Sequence, residues 1–297
     1  MSAVIEIKGL TKLFGGRAGI YKLDLSVPAG SVFALLGDNG AGKSTTSKLL
    51  TGLLPPDAGA ATVLGRDCWK AAAELRHDVG YVPERPKFYD WMTVDQIGWF
   101  TSGFHKPGFL ASYRERIERF HLDARAKLRN LSKGEYAKVG LALALAPNPE
   151  VLILDEPTSG LDLLVRREFL RSIVDLAAEG RTILISSHQI SEVERVATHV
   201  AFISHGKLLM TAPVEELRER IVRYRLRYDG QPPDPERLGT VLERNGSGRL
   251  WQAVVRDPDF GEVASLRTAP GISDFEEAPL TLEETYCSLL GGKEARP

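Results

Sequence analysis

The sequence predicts an α/β fold, and three observations carry that prediction. Two apolar runs, Val32-Phe33-Ala34-Leu35-Leu36 and Val151-Leu152-Ile153-Leu154, have no polar interruption, as strands buried on both faces of a parallel sheet do. The first run leads into Gly37-Asp38-Asn39-Gly40-Ala41-Gly42-Lys43-Ser44-Thr45, which meets every fixed position of G-x-x-x-x-G-K-[ST]. The second run ends in Asp155-Glu156, two carboxylates at the strand tip where open α/β sheets bind ligands. Together these predict a P-loop α/β core. Around it the sequence places an N-terminal antiparallel β subdomain, an inserted helical subdomain and a C-terminal α+β appendage.

The loop residues have defined chemistry. Glycines at 37, 40 and 42 let backbone amides turn toward a phosphate with no side chain in the way, and Asn39 and Ala41 complete the loop. The following helix, expected over Lys43 to Leu54 and stopped by Pro55-Pro56, points its positive dipole end at the same anion. Lys43 is placed to reach the β- and γ-phosphates, Ser44 to bind Mg²⁺ and Thr45 to bind a further phosphate oxygen. The predicted ligand is a nucleoside triphosphate.

Composition narrows the class. A net charge of −1 gives no electrostatic footprint for nucleic acid as a partner. The two cysteines, Cys68 and Cys287, lie far apart, which fits a reducing compartment and no disulfide framework. The N-terminus has no signal-peptide pattern, and no run of about eighteen apolar residues is long enough to span a bilayer. Any membrane-spanning part belongs to another chain.

Taken in order, Val4 to Ile7 and Tyr21 to Val27 alternate as half-buried strands, with a turn at Phe14-Gly15-Gly16 between them. Phe14 is a candidate to stack on a nucleotide base, or simply a hydrophobic turn residue. A short strand at Ala61 to Leu64, a helix from Trp69 to Leu75 and a strand at Val79 to Glu84 follow. Residues 86–147 read as three helices: one opened by a capping box at Thr93 to Gln96, one over Phe109 to His121, and one opened at Leu131 to Glu135. Asp162 to Ala178 reads as a helix capped by Gly180, and Thr182 to His188 as another buried strand with a polar tip. A helix at Ile190 to Ala197, a hairpin turning at His205-Gly206 and a helix with Pro213 at its first position close this part. The sequence divides at 219, with a small α+β domain over 220–297. Its first strand puts Arg223, Arg225 and Arg227 on one face and Tyr224, Leu226 and Tyr228 on the other.

At this point the residues resemble the ATP-binding subunit of an ABC transporter. Beyond the phosphate loop, Leu131-Ser132-Lys133-Gly134-Glu135 is similar to the signature motif, Leu152 to Pro157 to Walker B, and Ser159 to Asp162 to the D-loop. His188 falls at the switch histidine, Tyr81-Val82-Pro83-Glu84 at the Q-loop and Phe14 at the A-loop aromatic. The resemblance implies roles. Asp155 holds Mg²⁺ directly or through water, with Ser44 and Glu84. Glu156 is the general base, and His188 and Lys43 contact the γ-phosphate. Ser132, Gly134, Glu135 and Asp162 close on the ATP of a second copy, so the expected active form is a homodimer with ATP at the interface. Ser132 and Glu135 also read as a capping box. Lys133, Glu135 and Glu84 depart from the family's usual glycine, glutamine and glutamine. Val82-Pro83-Glu84 with Lys133 in the signature resembles cassettes that pair with ABC-2 type permeases, often exporters.

The resulting expectation is an ATPase that powers a separate integral-membrane permease from the cytoplasmic face of the membrane. Phe88 to Met92 is a candidate docking segment, or packs within the helical subdomain. The alternatives are a soluble cassette ATPase acting on DNA or ribosomes, and a non-catalytic regulatory nucleotide-binding module. The former usually carries a coiled-coil insertion or a second cassette, and neither is present.

Overall fold

The computed structural model describes residues 3–294. It falls into two compact units, Met1–Gln189 with Arg195–Thr211, and Ile190–Glu194 with Ala212–Pro297.

The first unit begins with a long antiparallel hairpin, β1 (Ala3–Phe14) and β2 (Arg17–Pro28). Ile5, Leu23 and Val27 are buried between them and the core behind. β3 (Val32–Leu36), buried throughout, then leads to α1 (Lys43–Leu50). That helix ends four residues short of the expected Leu54. Gly52 takes a left-handed backbone (φ 65°), and the Leu53 and Leu54 N–H groups fold back onto the Lys48 carbonyl at 2.9 and 3.2 Å. The stop is therefore the glycine and not the two prolines. β4 (Ala58–Val63) and β5 (Arg66–Asp67) complete a four-stranded sheet in the order β2-β1-β4-β5.

The helix expected from Trp69 is reduced to α2 (Ala72–Leu75). The Asp67 carboxylate accepts the N–H groups of Trp69 and Lys70 at 3.0 and 2.8 Å, which holds those residues in a turn. After β6 (Val79–Val82) come the three inserted helices, α3 (Val94–Ser102), α4 (Phe109–Arg119) and α5 (Lys133–Leu145). Both expected capping boxes form, at Thr93 with Gln96 and at Ser132 with Glu135. The three helices have their own core of Val94, Ile97, Tyr113 and Val139. Tyr113 fills the space over Gly98 and donates its hydroxyl to the Val94 carbonyl at 2.7 Å.

The chain then returns to the core through β7 (Val151–Asp155), α6 (Leu163–Ala178) and β8 (Thr182–Ser187). The helix expected over 190–197 is a single turn, α7 (Ile190–Val193), which belongs to the second unit. β9 (His199–Ser204) and β10 (Lys207–Pro213) follow. The central sheet runs β10-β9-β3-β8-β7-β6, and β9, β3, β8, β7 and β6 are parallel. Parallel pairing gathers the C-terminal tips of β3, β8 and β7 at one edge. There Leu36 stands beside Ser187, and Asp155 beside Ser186.

The second unit contains α8 (Val214–Arg220), with Pro213 as its cap and not its first residue, then β11 (Ile221–Tyr228). A 3₁₀ turn at Pro235–Leu238 precedes β12 (Thr240–Ser247), β13 (Leu250–Arg256), α9 (Phe260–Arg267), β14 (Ile272–Pro279) and α10 (Leu282–Glu294). The antiparallel sheet runs β12-β13-β11-β14, the strand order of the ferredoxin-like split with its first helix reduced to the 3₁₀ turn. Tyr224, Leu226, Trp251 and Val255 form its core. Arg223, Arg225 and Arg227 point the other way and meet Glu284, Glu276 and Asp274 at 3.0, 3.5 and 3.5 Å. The basic row is therefore neutralised residue by residue, from α10 and β14.

Candidate active site

The loop after β3 is shaped by contacts that only glycine permits at two positions. A Cβ on Gly37 would collide with the Ile203 carbonyl of β9, and one on Gly42 would lie 2.5 Å from the Gly19 carbonyl oxygen. Gly42 also takes a left-handed backbone, φ 109°, as it enters α1. The Gly206 N–H donates to the Ala41 carbonyl at 2.9 Å and pins the loop from the β9–β10 turn.

Lys43 is 4% exposed. Its ammonium donates to the carbonyls of Gly37 and Asp38 at 2.7 and 3.0 Å and lies 3.0 Å from the Glu156 carboxylate. The other carboxylate oxygen of Glu156 is 2.7 Å from His188 Nδ1 and accepts the His188 backbone N–H at 3.3 Å. Glu156 thus joins the phosphate-loop lysine to the histidine at the end of β8. It does so from a left-handed backbone, φ 48°, held by its N–H donating to Ser186 Oγ at 3.0 Å and to the Ser186 carbonyl at 3.2 Å. A non-glycine residue in that region stores about 1–3 kcal/mol of strain, which the surrounding bonds must offset.

Asp155, 2% exposed, accepts from Ser44 Oγ at 2.9 Å and from Ser186 Oγ at 2.7 Å. Burial pushes its carboxyl above the ordinary aspartate range, the two serine hydroxyls pull it back, and the charges of Glu156 and Glu84 push it up again. A cation beside it would relieve all three upward pressures at once. Ser44 and Asp155 are hard oxygen donors already in contact, and Glu84 is near enough to act on Asp155. Among the described residues there is no cluster of three or more metal-binding His, Cys, Asp or Glu side chains. Mg²⁺ does not require one, because it takes one or two carboxylates and fills the remainder with phosphate oxygens and water. The donor set fits that ion.

Lys43, Ser44, Glu156 and His188 line a cavity of about 670 Å³ together with Phe14, Asn39, Gly40, Thr45, Glu84 and Arg85. Phe14 stands at its rim, half exposed, its ring over Gly19. Glu84 is exposed with its carboxylate 3.5 Å from Arg85.

Gly37, Ala41 and Asp155 stand behind the cavity's lining, in contact with residues that form it, and four further predicted residues lie elsewhere. Ser132, Gly134, Glu135 and Asp162 do not line this cavity, and each has a local role. The Glu135 carboxylate accepts both the N–H and the hydroxyl of Ser132 at 2.8 Å, and these bonds hold its carboxyl below the ordinary glutamate range. A side chain on Gly134 would collide with Val165 of α6. Asp162 caps α6, accepting from the N–H groups of Leu164 and Val165 at 3.1 and 3.0 Å. Sequence reasoning missed Ser186, which bonds both acids. Its signal was the Ser-Ser pair at the tip of a buried strand, but the bond depends on the β7–β8 register.

The comparisons with known proteins agree with this geometry. A family model described as ABC transporter matches residues 20–159. The bacitracin transport ATP-binding protein BcrA of Bacillus licheniformis is 36% identical across 82% of this chain and 80% of its own. The daunorubicin/doxorubicin resistance ATP-binding protein DrrA of Streptomyces peucetius is 32% identical across 97% of this chain and 92% of its own. Among solved structures, an ATP-binding subunit of an ABC transporter superposes with a TM-score of 0.66 at 26% identity, covering 73% of this chain and 92% of that one. A bacterial ABC transporter cassette described as dimeric has a TM-score of 0.65 at 21% identity over 71% of this chain and 98% of that one, a likeness of fold. The chain belongs to the ATP-binding proteins of ABC transporters, ATPases whose hydrolysis of ATP drives transport.

Proposed function

We propose that Glu156 is the general base of this ATPase and that the chain works as a homodimer powering a separate ABC-2 type permease in export. The observation that carries the reading is the buried Glu156 carboxylate shared between Lys43 at 3.0 Å and His188 at 2.7 Å.

In this reading the triphosphate enters the 670 Å³ cavity with its base against Phe14 and its phosphates on the amides of residues 37–45. Lys43 gives up Glu156 and turns to the β- and γ-phosphates, which frees the carboxylate. Ser44, Asp155 and Glu84 would hold Mg²⁺, which would supply neutralising charge to the phosphates. Glu156 then accepts a proton from the attacking water, and His188, already on Glu156, orients it and contacts the γ-phosphate. Positioning and fixed charge supply most of the rate.

A second copy completes the site. Ser132, Gly134, Glu135 and Asp162 lie outside their own chain's cavity, at the N-termini of α5 and α6, whose positive dipole ends can meet another copy's γ-phosphate. The same-fold cassette described as dimeric supports this arrangement. Glu135, turned back onto Ser132, keeps its negative charge off that phosphate.

No helix among the described residues is long and apolar enough to cross a membrane. In this reading the permease is a separate chain, and this one works against the cytoplasmic face of the membrane; the relatives named as ATP-binding proteins of transport support it. A groove of about 380 Å³ beside Pro86, Lys87 and Phe88 is the docking place, flanked by the exposed Tyr89 and Trp91. The relatives named for bacitracin transport and for drug resistance favour export, and none of those reported favours action on DNA or ribosomes. The test is recovery of the chain from crosslinked native membranes. An integral-membrane protein in near-stoichiometric amount, lost on Phe88→Asp, is expected. Recovery of the chain without any membrane protein contradicts the transport reading.

A further inference from the structure

His188 follows β8, and its ring and its backbone N–H both engage Glu156. Two residues later the chain enters α7, which belongs to the second unit. There is no slack between them. The Gln189 N–H donates to Ser187 Oγ at 2.9 Å, and the Ser187 hydroxyl donates to the Gln189 carbonyl at 3.4 Å. The residues on either side of His188 are thus closed into a tight turn, and a displacement of α7 is passed to the histidine.

α7 cannot hold itself. It is one turn, closed by the Glu194 N–H on the Ile190 carbonyl at 3.1 Å, and a lone helical turn fixes several residues for a single bond. Its position rests on the burial of Ile190 and Val193 and on one polar contact. The half-buried Glu194 carboxylate accepts the Leu282 N–H at 3.3 Å. Leu282 is the first residue of α10, where the N–H groups have no partner inside the helix and the dipole end is positive. α10 already has a cap of its own, because the Thr281 N–H donates to Glu284 at 2.9 Å and the Glu284 N–H to Thr281 Oγ1 at 3.2 Å. The bond from Glu194 therefore fastens α7. The other oxygen of Glu284 meets Arg223 of β11 at 3.0 Å. A continuous path runs from the sheet of the second unit through α10 to Glu194, and along the chain to His188.

We infer that Glu194 is a positioning residue of the ATPase: by fastening α7 to α10 it fixes the reach of His188, and the second unit thereby sets the rate of hydrolysis. The inference rests on the role given above to His188. Glu194 does not line the nucleotide cavity, so it acts on the reaction only through α7. Release of α7 leaves the phosphate loop, Lys43 and the Ser44–Asp155 pair in place. Nucleotide binding should survive it, while the step that needs His188 slows.

The test is a double-mutant cycle on the full chain, read as kcat, KM for ATP and affinity for a non-hydrolysable ATP analogue. Glu194→Met keeps the bulk of the side chain and removes the acceptor. It should lower kcat about tenfold, with KM and analogue affinity within about twofold of the parent. Glu194→Gln still offers an oxygen to the Leu282 N–H and should keep kcat within about twofold. In a His188→Ala background Glu194→Met should have no further effect, because the residue it positions is gone. If His188→Ala leaves no measurable rate, the His188 ring resonances replace the cycle, and Glu194→Met should shift them where Glu194→Gln does not. An unchanged kcat in Glu194→Met, a loss of analogue affinity, equal losses in the Met and Gln variants, a loss that persists without His188, or unmoved His188 resonances overturns the inference. His188→Ala with the parent's rate overturns the role of His188 and the inference with it, whereas a slow His188→Ala beside a fully active Glu194→Met removes the inference alone.

Discussion

Strand β7 carries four aliphatic residues before Asp155, whereas β11 alternates arginines with Tyr224 and Leu226. The first lies inside a parallel sheet, buried on both faces, so polar groups have a place only at its tip. There Asp155 and Glu156 converge on Ser44, Lys43, Ser186 and His188 within 3.0 Å. The second lies in an antiparallel sheet with one face on its core, so its charges spread along the strand. Each arginine there meets an acid, Glu284, Glu276 or Asp274, at 3.0 to 3.5 Å. Concentrated charge at a buried tip makes a site. Charges paired along a half-solvated face make a surface.

The comparison can be broken first in the core of the second unit. Trp251 is 2% exposed and central to that core. Trp251→Ala should cost about 3–5 kcal/mol, read as a lower urea midpoint for the second unit. An unchanged midpoint would mean that β11 and β13 do not rest on a packed core. A smaller effect is expected at Glu284, whose carboxyl is held below 4.5 chiefly by the Thr281 N–H and further by Arg223. Its folded pKa is depressed, so the unfolded chain binds more protons between the two values. The stabilisation is complete above 4.5 and is lost as pH falls through the lower folded value. Glu284→Gln should therefore lower stability by less than about 1 kcal/mol near neutrality and by nothing in strong acid. A difference that persists in acid would assign the effect to packing. The smallest effect belongs to Arg225→Gln, within about 0.5 kcal/mol in stability and without change in the ATPase rate. A clear fall in rate would show that the arginine face is a site after all.

Much of this was legible in the sequence where one residue type decides the local outcome. Apolar runs marked β3, β7 and the middle of β8, and Thr93 with Gln96 marked the start of α3. The phosphate loop was readable because its glycines are the only residues that pass the Ile203 and Gly19 carbonyls. What escaped depends on partners distant in the chain or on weak pattern. β12 is an edge strand whose second half, Arg244 to Ser247, is exposed and carries no apolar alternation. α9 was marked only by its cap, Asp259, which accepts from the N–H groups of Gly261 and Glu262 at 2.9 and 3.1 Å. The left-handed backbone of Glu156 and its bond to Ser186 follow from strand register, which no local pattern encodes.

The most direct test of the account is Glu156→Gln, measured as ATPase rate and as mass in solution with and without Mg-ATP. Glutamine keeps the side chain's shape and removes its capacity to accept a proton. The rate should fall by about 10²–10⁴-fold, and the protein should become a dimer only when Mg-ATP is present. A variant that still hydrolyses ATP and stays monomeric would contradict the assignment of Glu156 as the base and reopen the role of Glu84.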